Sequence, residues 1–279
     1  MAGNVAGVCL LIALSRTVPG TPLLVAANRD ELYTRPAEAI TVLRGEAPRI
    51  LGGRDELAGG TWLAVNAAGV LAGLTNQPSA SRDPAKRSRG ELPLMFAAYP
   101  DAATAVAEVC GRLDPADYNP CWLLVGDRDT LFSIDLTGGP RPVAQELPPG
   151  RYVLENAPLR RDSAKQQRVA GLVDAALAAA GDGAETAALA TVLCDHEPAA
   201  GTLPPLPNGL PRPAEISAAC VHTGLYGTRS AMIVSVPADG LPEVRVAAGP
   251  PCTAELLGQS SLWTSAAPAA AAAAPGGSR

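Results

Sequence analysis

Cys9 and a run of four polar residues further along the chain are the part of the sequence best equipped for chemistry. The run Asn-Arg-Asp-Glu at residues 28–31 directly follows the uncharged apolar residues 23–27, a pattern typical of the mouth of a buried strand. A deprotonated cysteine is a strong nucleophile, and carboxylate, amide and guanidinium groups can orient or polarise a substrate. This combination predicts a site for nucleophilic catalysis.

Polar residues also adjoin later apolar runs, where predicted strands begin or end. They are Asn76, Asn156 and Arg229. If these strands share a sheet, their ends can converge on Cys9. Neither of the two histidines of the chain falls in this set, so a cysteine nucleophile would need another base. The α-amino group of Cys9 would serve if Cys9 were the first residue of the chain.

The composition indicates a soluble globular protein that meets small molecules or other proteins. The chain has 279 residues, of which 47% are hydrophobic and 18% charged, enough for one large domain or two small ones. Its net charge of −5 argues against nucleic acid as a partner, because no basic stripe is available to neutralise phosphates. No apolar stretch approaches the roughly 18 residues that a membrane span requires.

The cysteines and histidines carry no metal-binding signature in their spacing. The six cysteines include no CxxC pair, which favours reduced thiols in a cytoplasmic protein without a metal or cofactor. Apart from Cys9 they are interpreted as small core residues, Cys220 and Cys252 among them. His196 lies in a predicted loop without partners for a metal. His222 is interpreted as structural, with a dyad of Cys9 and His222 as the alternative.

Apolar periodicity and turn residues predict antiparallel hairpins interrupted by two blocks of helix. The first strand, residues 8–14, pairs with residues 21–28 and so brings Cys9 near Asp30. The glycines at residues 52–55 and 59–60 are interpreted as loop signals. The other predicted strands are residues 61–66, 70–76, 121–125, 130–135, 151–155, 216–222, 229–236 and 243–247, and the predicted helices are residues 90–99, 102–113, 163–180 and 185–193.

Hairpins alternating with helices indicate an α+β domain, most simply two packed antiparallel sheets with helices outside. We assign residues 9–262 to this domain and residues 1–8 to an N-terminal extension. Residues 198–213, crowded with proline and glycine, are predicted to form a loop. Residues 263–279, which become almost entirely Ala, Pro, Gly and Ser, are predicted to be a disordered tail.

Seven motifs, in order along the chain, resemble the NRDE family, which is also called the transport and Golgi organisation 2 family. This resemblance implies an N-terminal-nucleophile (Ntn) hydrolase-like fold, a four-layer αββα sandwich of two antiparallel sheets. The motifs are NRDE at 28–31, GGRD at 52–55, GGTW at 59–62, LTN at 74–76, RGEL at 89–92, ENAPL at 155–159 and YGTRS at 226–230.

A more distant resemblance is to the Ntn acylases that cleave bile-salt and penicillin V amides. Their strand-turn-strand ends in Gly-Leu-Xaa-Asn, which is similar to Gly-Leu-Thr-Asn at residues 73–76 of this chain. By this resemblance, Cys9 is the nucleophile and Asp30 holds its amino group. Asn76 and Asn156 are implied to help form the oxyanion hole, and Arg229 to support the nucleophile.

Five further residues are candidates for substrate binding. Asn28, Arg29 and Glu31 come from the NRDE motif, and the role of Arg29 depends on that motif alone, because the acylases place their arginine elsewhere. Trp62 and Tyr226 are interpreted as either core residues or walls of the pocket.

The resemblance implies two functions of different classes. The first is an Ntn-type cysteine hydrolase that cleaves a small amide or acyl substrate through an acyl-enzyme on Cys9. The alternative is a non-catalytic carrier or chaperone for haem or for lipid or acyl-CoA. A third possibility is a degenerate fold kept for protein contacts, because Glu155 stands where the family commonly has serine.

Residues 1–8 are the main departure from the acylase pattern, because they leave Cys9 without a free amine. An α-amine has a pKa of about 7.7–8 and can take the proton of a thiol whose pKa is about 8.5. Autoproteolysis between Val8 and Cys9 would free this amine. Translation from the codon of Val8, followed by removal of methionine, would do the same and is the route we favour, since the Ala-, Gly-, Pro- and Arg-rich composition suggests a GC-rich gene.

Overall fold

Two antiparallel sheets form the centre of the computed structural model, which describes residues 9–78, 82–159, 163–201 and 213–266. The first sheet has six strands in the order β10-β1-β2-β11-β12-β13, and the second has seven in the order β3 to β9. The strands are β1 Leu10–Val18, β2 Thr21–Leu32, β3 Ala37–Arg44, β4 Ile50–Asp55, β5 Leu63–Asn66, β6 Leu71–Asn76, β7 Cys121–Gly126, β8 Leu131–Asp135, β9 Val143–Glu146, β10 Gly150–Leu154, β11 Tyr226–Val236, β12 Glu243–Ala247 and β13 Leu257–Gly258.

Helices cover the outer face of each sheet. The α-helices are α1 Glu91–Phe96, α2 Ala102–Arg112, α3 Ala164–Ala180 and α4 Glu185–Leu193. The first two pack on β6 and β7, and the last two pack on β10, β2 and β11. The described chain therefore forms the four-layer αββα sandwich that the sequence predicts.

Alternation along the strands explains these layers, because successive side chains of a strand point to opposite faces of its sheet. Leu11 and Ala13 of β1 belong to the core between the two sheets. Leu10 and Ile12 belong to a second core between the first sheet and α3 and α4. Both faces of β1 are thus buried over residues 10–14, which is why this part of its sequence is an unbroken apolar run.

The predicted first hairpin is confirmed, but its second strand is longer than expected. Leu10 pairs with Asn28, and β2 continues to Leu32 because β11 pairs with it as far as Tyr226. Asp30 therefore lies inside β2, paired with Thr228 of β11, and not in a turn beyond the strand end.

The glycines at residues 52–55 were expected in a loop, and this interpretation is wrong. They belong to β4, which pairs with β3 and β5. A Cβ atom at Gly53 would overlap the indole ring of Trp62. Gly52 and Gly53 are required by close packing. Of the glycines at residues 52–53 and 59–60, only Gly59, with a φ of 73°, occupies a backbone conformation that favours glycine.

The structure corrects the predicted strand at residues 216–222 and adds three strands besides β4. A short 3-10 helix, Ala214–Ser217, and irregular chain occupy that segment. The additional strands β3, β9 and β13 lie toward the sheet edges, and every residue of β9 is exposed, so an apolar pattern was absent there. The predicted hairpins β5–β6 and β7–β8 are confirmed, and the side chain of Asp101 caps the N-terminus of α2.

Three predictions fall wholly or partly outside the described residues: the N-terminal extension at residues 1–8, residues 202–212 of the predicted loop and residues 267–279 of the predicted tail. Trp263 is described, and its indole donates a hydrogen bond of 2.8 Å to the carbonyl of Pro242. Among the helices in the described ranges, none has the length and apolar character needed to cross a membrane.

Replacing Gly53 by Ala is expected to lower the free energy of unfolding by about 1–3 kcal/mol, because the added methyl group must displace Trp62. Urea denaturation measures this change. Gly171→Ala is the control, since a Cβ atom there on α3 meets nothing within 4 Å and should raise stability by up to about 1 kcal/mol. Equal stability of the two variants would contradict the packing explanation.

Candidate active site

A cavity of about 180 Å³ opens beside Cys9 and receives side chains from both sheets. Its walls come from β2, β4, β6 and the segment at residues 82–90, which we call the roof. No histidine lines this cavity among the described residues. Its charged lining residues are Arg29, Arg35, Arg82, Arg89, Asp30, Glu31 and Asp55.

Cys9 immediately precedes β1 and is buried, with 8% of its surface exposed. The backbone of Asp30 lies close enough to its sulfur to favour the thiolate. Burial, and then the negative charge of Asp30, raise the pKa of the Cys9 thiol to about 12. While its amine is part of a peptide bond, this cysteine is therefore a neutral thiol at neutral pH and needs a base to become a nucleophile.

The Asp30 carboxyl group is buried beside this thiol. Its Oδ1 accepts a 2.5 Å hydrogen bond from the hydroxyl of Thr228, whereas its Oδ2 has no hydrogen-bond partner among the described residues. Burial raises the pKa of Asp30 to about 6, an effect opposed by the positive charge of Lys165 and by the Thr228 hydrogen bond. Oδ2 is therefore an acceptor for a further donor near Cys9.

Arg29 lies against the aromatic wall of the cavity. Its guanidinium carbon is 4.5 Å from the centroid of the Trp62 ring, a cation–π contact. Its Nη2 is 3.8 Å from Asp55 and 4.0 Å from Glu31, while its Nη1 is buried and has no hydrogen-bond partner among the described residues. Arg35 completes the cluster through a 2.7 Å hydrogen bond to Asp55.

The two asparagines predicted for the oxyanion hole lie in contact. Asn76, at the end of β6, lines the cavity. Asn156 lies behind it, and its side-chain amide donates to the backbone carbonyl of Asn76. The structure therefore brings Asn76 to the cavity and gives Asn156 a position that fixes Asn76.

Arg229 and Tyr226 are not among the cavity-lining residues. Arg229 falls at an irregularity in the pairing of β11 with β2, and its Nη1 donates to the carbonyls of Leu32 and Arg35 at 2.8 and 2.9 Å. It thus holds the chain at the end of β2. Tyr226 is buried in a small core with Val221, which resolves the alternative between core residue and pocket wall in favour of the core.

Asn28 connects β2 to the layer of α4 instead of lining the cavity. Its side-chain amide donates to the carbonyl of Leu193 at 2.9 Å and to that of Ala219 at 2.8 Å. The residues of the NRDE motif therefore have different roles. Arg29 and Glu31 line the cavity, whereas Asn28 anchors the segment that precedes β11.

Several residues of the site were not identified from the sequence. Thr228 and the buried Lys165 both oppose the rise in the pKa of Asp30. The sequence does not reveal this effect, because both residues lie far from Asp30 along the chain. Asn119 holds the roof through two hydrogen bonds with the backbone of Asp83, of 2.8 and 2.9 Å. Arg89, in the RGEL motif, donates to the carbonyl of Pro120, so its motif was the available signal.

A second group of reactive side chains lies outside this cavity. His196, Cys220, His222 and Cys252 each offer a nitrogen or sulfur atom, and these atoms all lie within 4.8 Å of one another. The expectation that His196 lacks potential metal-ligand partners is therefore wrong, because the fold unites residues that the sequence keeps apart.

Replacing Asp30 by Asn should change how stability depends on pH. A carboxyl group whose pKa is about 6 when folded and about 3.9 when unfolded destabilises the fold as pH rises between these values. In the chain that carries residues 1–8, we expect the variant to gain about 3 kcal/mol over the natural protein between about pH 4 and about pH 7. Urea denaturation across this range measures the difference.

Asp182→Asn is the matched control, because this carboxyl group is exposed. Its stability should follow that of the natural protein across the same pH range. A difference between Asp30→Asn and the natural protein that stays constant with pH would show that Asp30 titrates as an ordinary carboxyl group.

Comparisons with known proteins agree with this architecture. Residues 8–247 match the family model described as Transport and Golgi organisation 2. The human Transport and Golgi organization protein 2 homolog is 32% identical over 236 residues, covering 78% of this chain and 83% of the relative. The bovine homolog is 33% identical over 249 residues, with the same coverage of the two chains.

Solved structures share the fold at low sequence identity. Penicillin V acylase from Agrobacterium tumefaciens has a TM-score of 0.51 at 11% identity, covering 87% of this chain and 84% of its own. The Caenorhabditis elegans ortholog of N-acylethanolamine-hydrolyzing acid amidase has a TM-score of 0.52 at 12% identity, covering 81% of this chain and 92% of its own. The fold is thus that of the Ntn hydrolases, and the chain belongs to the transport and Golgi organisation 2 family.

Proposed function

We propose that this protein is an Ntn-type cysteine hydrolase that cleaves a small amide or acyl substrate through an acyl-enzyme on Cys9. The main support is the pairing of a cavity-lining thiol with the buried carboxyl group of Asp30, whose Oδ2 has no hydrogen-bond partner among the described residues. An α-ammonium group on Cys9 would donate to such an oxygen. The site then has a nucleophile, a base and a group that orients the base.

In the proposed reaction, the free α-amine of Cys9 takes the thiol proton and the sulfur attacks the carbonyl carbon of the substrate. Asn76, on the cavity wall, stabilises the oxyanion with its side-chain amide. The carbon–nitrogen bond then breaks, and the α-ammonium returns its proton to the leaving amine. Water, deprotonated by the same α-amine, hydrolyses the thioester and regenerates the thiol. General base catalysis contributes roughly 10²–10⁴ to such a rate.

Asp30 has two effects on this base. As a carboxylate it stabilises the α-ammonium that forms during the reaction, and it keeps the amine oriented toward the sulfur. The positive charge on the amine would in turn favour ionisation of Asp30, whose pKa is raised by burial to about 6 when the amine is blocked. The two groups therefore support each other only when residues 1–8 are absent.

We therefore propose that the active protein begins at Cys9. Either cleavage between Val8 and Cys9 or translation from the codon of Val8 would achieve this.

The six cysteines are all free thiols, which supports a cytoplasmic location.

The cavity favours a small polar substrate over the carrier function. Pockets for drug-sized ligands occupy about 300–1,000 Å³ and are mostly apolar, whereas this cavity of about 180 Å³ has seven charged lining residues. Haem or an acyl chain would require a larger apolar cleft. Arg29, whose buried Nη1 has no hydrogen-bond partner among the described residues, and Arg89, which lines the same cavity, suit an acyl group that carries a negative charge.

Intact-mass spectrometry and alkylation test the nucleophile. We expect the native protein to lack residues 1–8 and iodoacetamide to modify Cys9 first, because a neighbouring amine lowers the cost of forming the thiolate. Asp30→Asn should slow both alkylation and amide turnover at least 10-fold, as expected when a general base loses its orientation. Cys110→Ser, on α2 and remote from the cavity, serves as the control and should behave as the natural protein does.

Two results would contradict the proposal of an Ntn-type hydrolase whose base is the α-amine of Cys9. One is a native chain that retains residues 1–8 and still hydrolyses amides at the same rate as a chain that begins at Cys9. The other is stoichiometric binding of haem or acyl-CoA that persists in Cys9→Ala, combined with no turnover by the natural protein, which would establish the carrier.

Replacing Arg29 by Gln tests the substrate class. A charge-assisted hydrogen bond contributes about 1.5–3 kcal/mol, so we expect kcat/KM for N-acyl amides with an acidic acyl group to fall at least 10-fold. Turnover of the matched neutral amides should change much less. Arg151→Gln, which removes a surface ion pair with Asp174, is the control. Equal losses for acidic and neutral substrates would exclude Arg29 as the anion-recognising group.

A further inference from the structure

Four potential metal ligands from three separate segments meet on the side of the first sheet that carries α4. His196 follows α4, Cys220 and His222 precede β11, and Cys252 follows β12. Cys220 is buried and Cys252 partly buried, while both histidines are exposed. The site therefore has an inner pair of sulfur atoms and an outer pair of imidazole rings through which an ion can enter.

The three distances among the ligand atoms of Cys220, His222 and Cys252 match those around a tetrahedral metal ion, and all four ligand atoms lie within 4.8 Å of one another. The two sulfur atoms are 3.8 Å apart, and the Nε2 of His222 is 3.6 Å from Cys220 Sγ and 3.3 Å from Cys252 Sγ. With bonds to Zn²⁺ of about 2.3 Å from sulfur and about 2.0–2.1 Å from nitrogen, tetrahedral geometry places the ligand atoms roughly 3.3–3.8 Å apart.

The orientation of His196 also suits coordination. Its Nδ1 lies 3.1 Å from the backbone carbonyl of Cys220. A histidine that binds a metal through one ring nitrogen commonly donates the other N–H to a carbonyl or carboxylate, which fixes the ring. The hydrogen bond to Cys220 leaves Nε2 of His196 available as a ligand.

We propose that His196, Cys220, His222 and Cys252 bind one Zn²⁺ ion in a closed, four-coordinate structural site. Two thiolates and two neutral imidazoles compensate the charge of the ion, and this ligand set is a common one for structural zinc. Binding replaces the two thiol protons, which pass to solvent, and requires no change of oxidation state. The thiolates of Cys220 and Cys252 would repel each other without the ion, and its positive charge compensates both of them.

The position of the site gives it a supporting role. The segment that it would hold contains Ala219, whose carbonyl accepts from Asn28, and Val221, which exchanges hydrogen bonds with Thr228. Thr228 in turn donates to Asp30. The ion would fix this segment behind β2 without touching the cavity, so the proposal stands whether or not the protein is a hydrolase.

Metal analysis of the full chain tests this proposal. The protein is purified without a histidine tag, reduced, dialysed against a slight excess of Zn²⁺ and passed over a desalting column. We expect one zinc per chain, and Co²⁺ in its place should give the visible spectrum of a tetrahedral thiolate complex. Cys252→Ser and His222→Ala should lose most of the bound metal, whereas Cys110→Ser, on α2, should keep it.

A second measurement does not require the ligand variants to fold, because it uses only the natural protein and Cys110→Ser. A chelator should lower the thermal midpoint of the natural protein and of Cys110→Ser by several degrees, and added Zn²⁺ should restore it. The proposal is overturned if the reduced natural protein retains no zinc and shows no Co²⁺ spectrum. It is also overturned if Cys220 and Cys252 are found joined by a disulfide in protein isolated with its thiols blocked at lysis.

Discussion

A buried carboxyl group needs a compensating partner, and this need at Asp30 connects the central elements of the structure. Thr228 supplies a hydrogen bond from β11, and Lys165 supplies a positive charge from α3. Lys165 is itself buried and donates to the carbonyl of Ile216. The environment of one side chain therefore depends on the correct placement of two strands, a helix and the segment that precedes β11.

The fold could be predicted from the sequence because its central strands follow simple rules. The apolar runs of β1 and β7 are buried on both faces, and the turn at Gly69 has the positive φ that favours glycine. The motif order then identified the family. Cys9, Asp30 and Asn76 were found because each one adjoins such a run, and the geometry brings Asp30 to Cys9 and Asn76 to the same cavity.

What the sequence did not reveal depends on contacts between distant segments. The glycines of β4 look like loop residues until the position of Trp62 is known. Asn28 is indistinguishable from its neighbours in the NRDE motif, although its amide points toward α4. The histidine and cysteine group has no recognisable spacing, because its members come from three segments that only the folded chain unites.

The close approach of Gly60 and Gly90 limits where the cavity can change shape by substitution. The two backbones touch without an intervening side chain, and Thr61 donates a 2.9 Å hydrogen bond to the carbonyl of Gly90. Because no side chain lies at this contact, a substitution of Gly60 would add atoms that push the roof away from it. The shape of this opening can instead be changed at side chains such as Gln77 and Arg82, which border it.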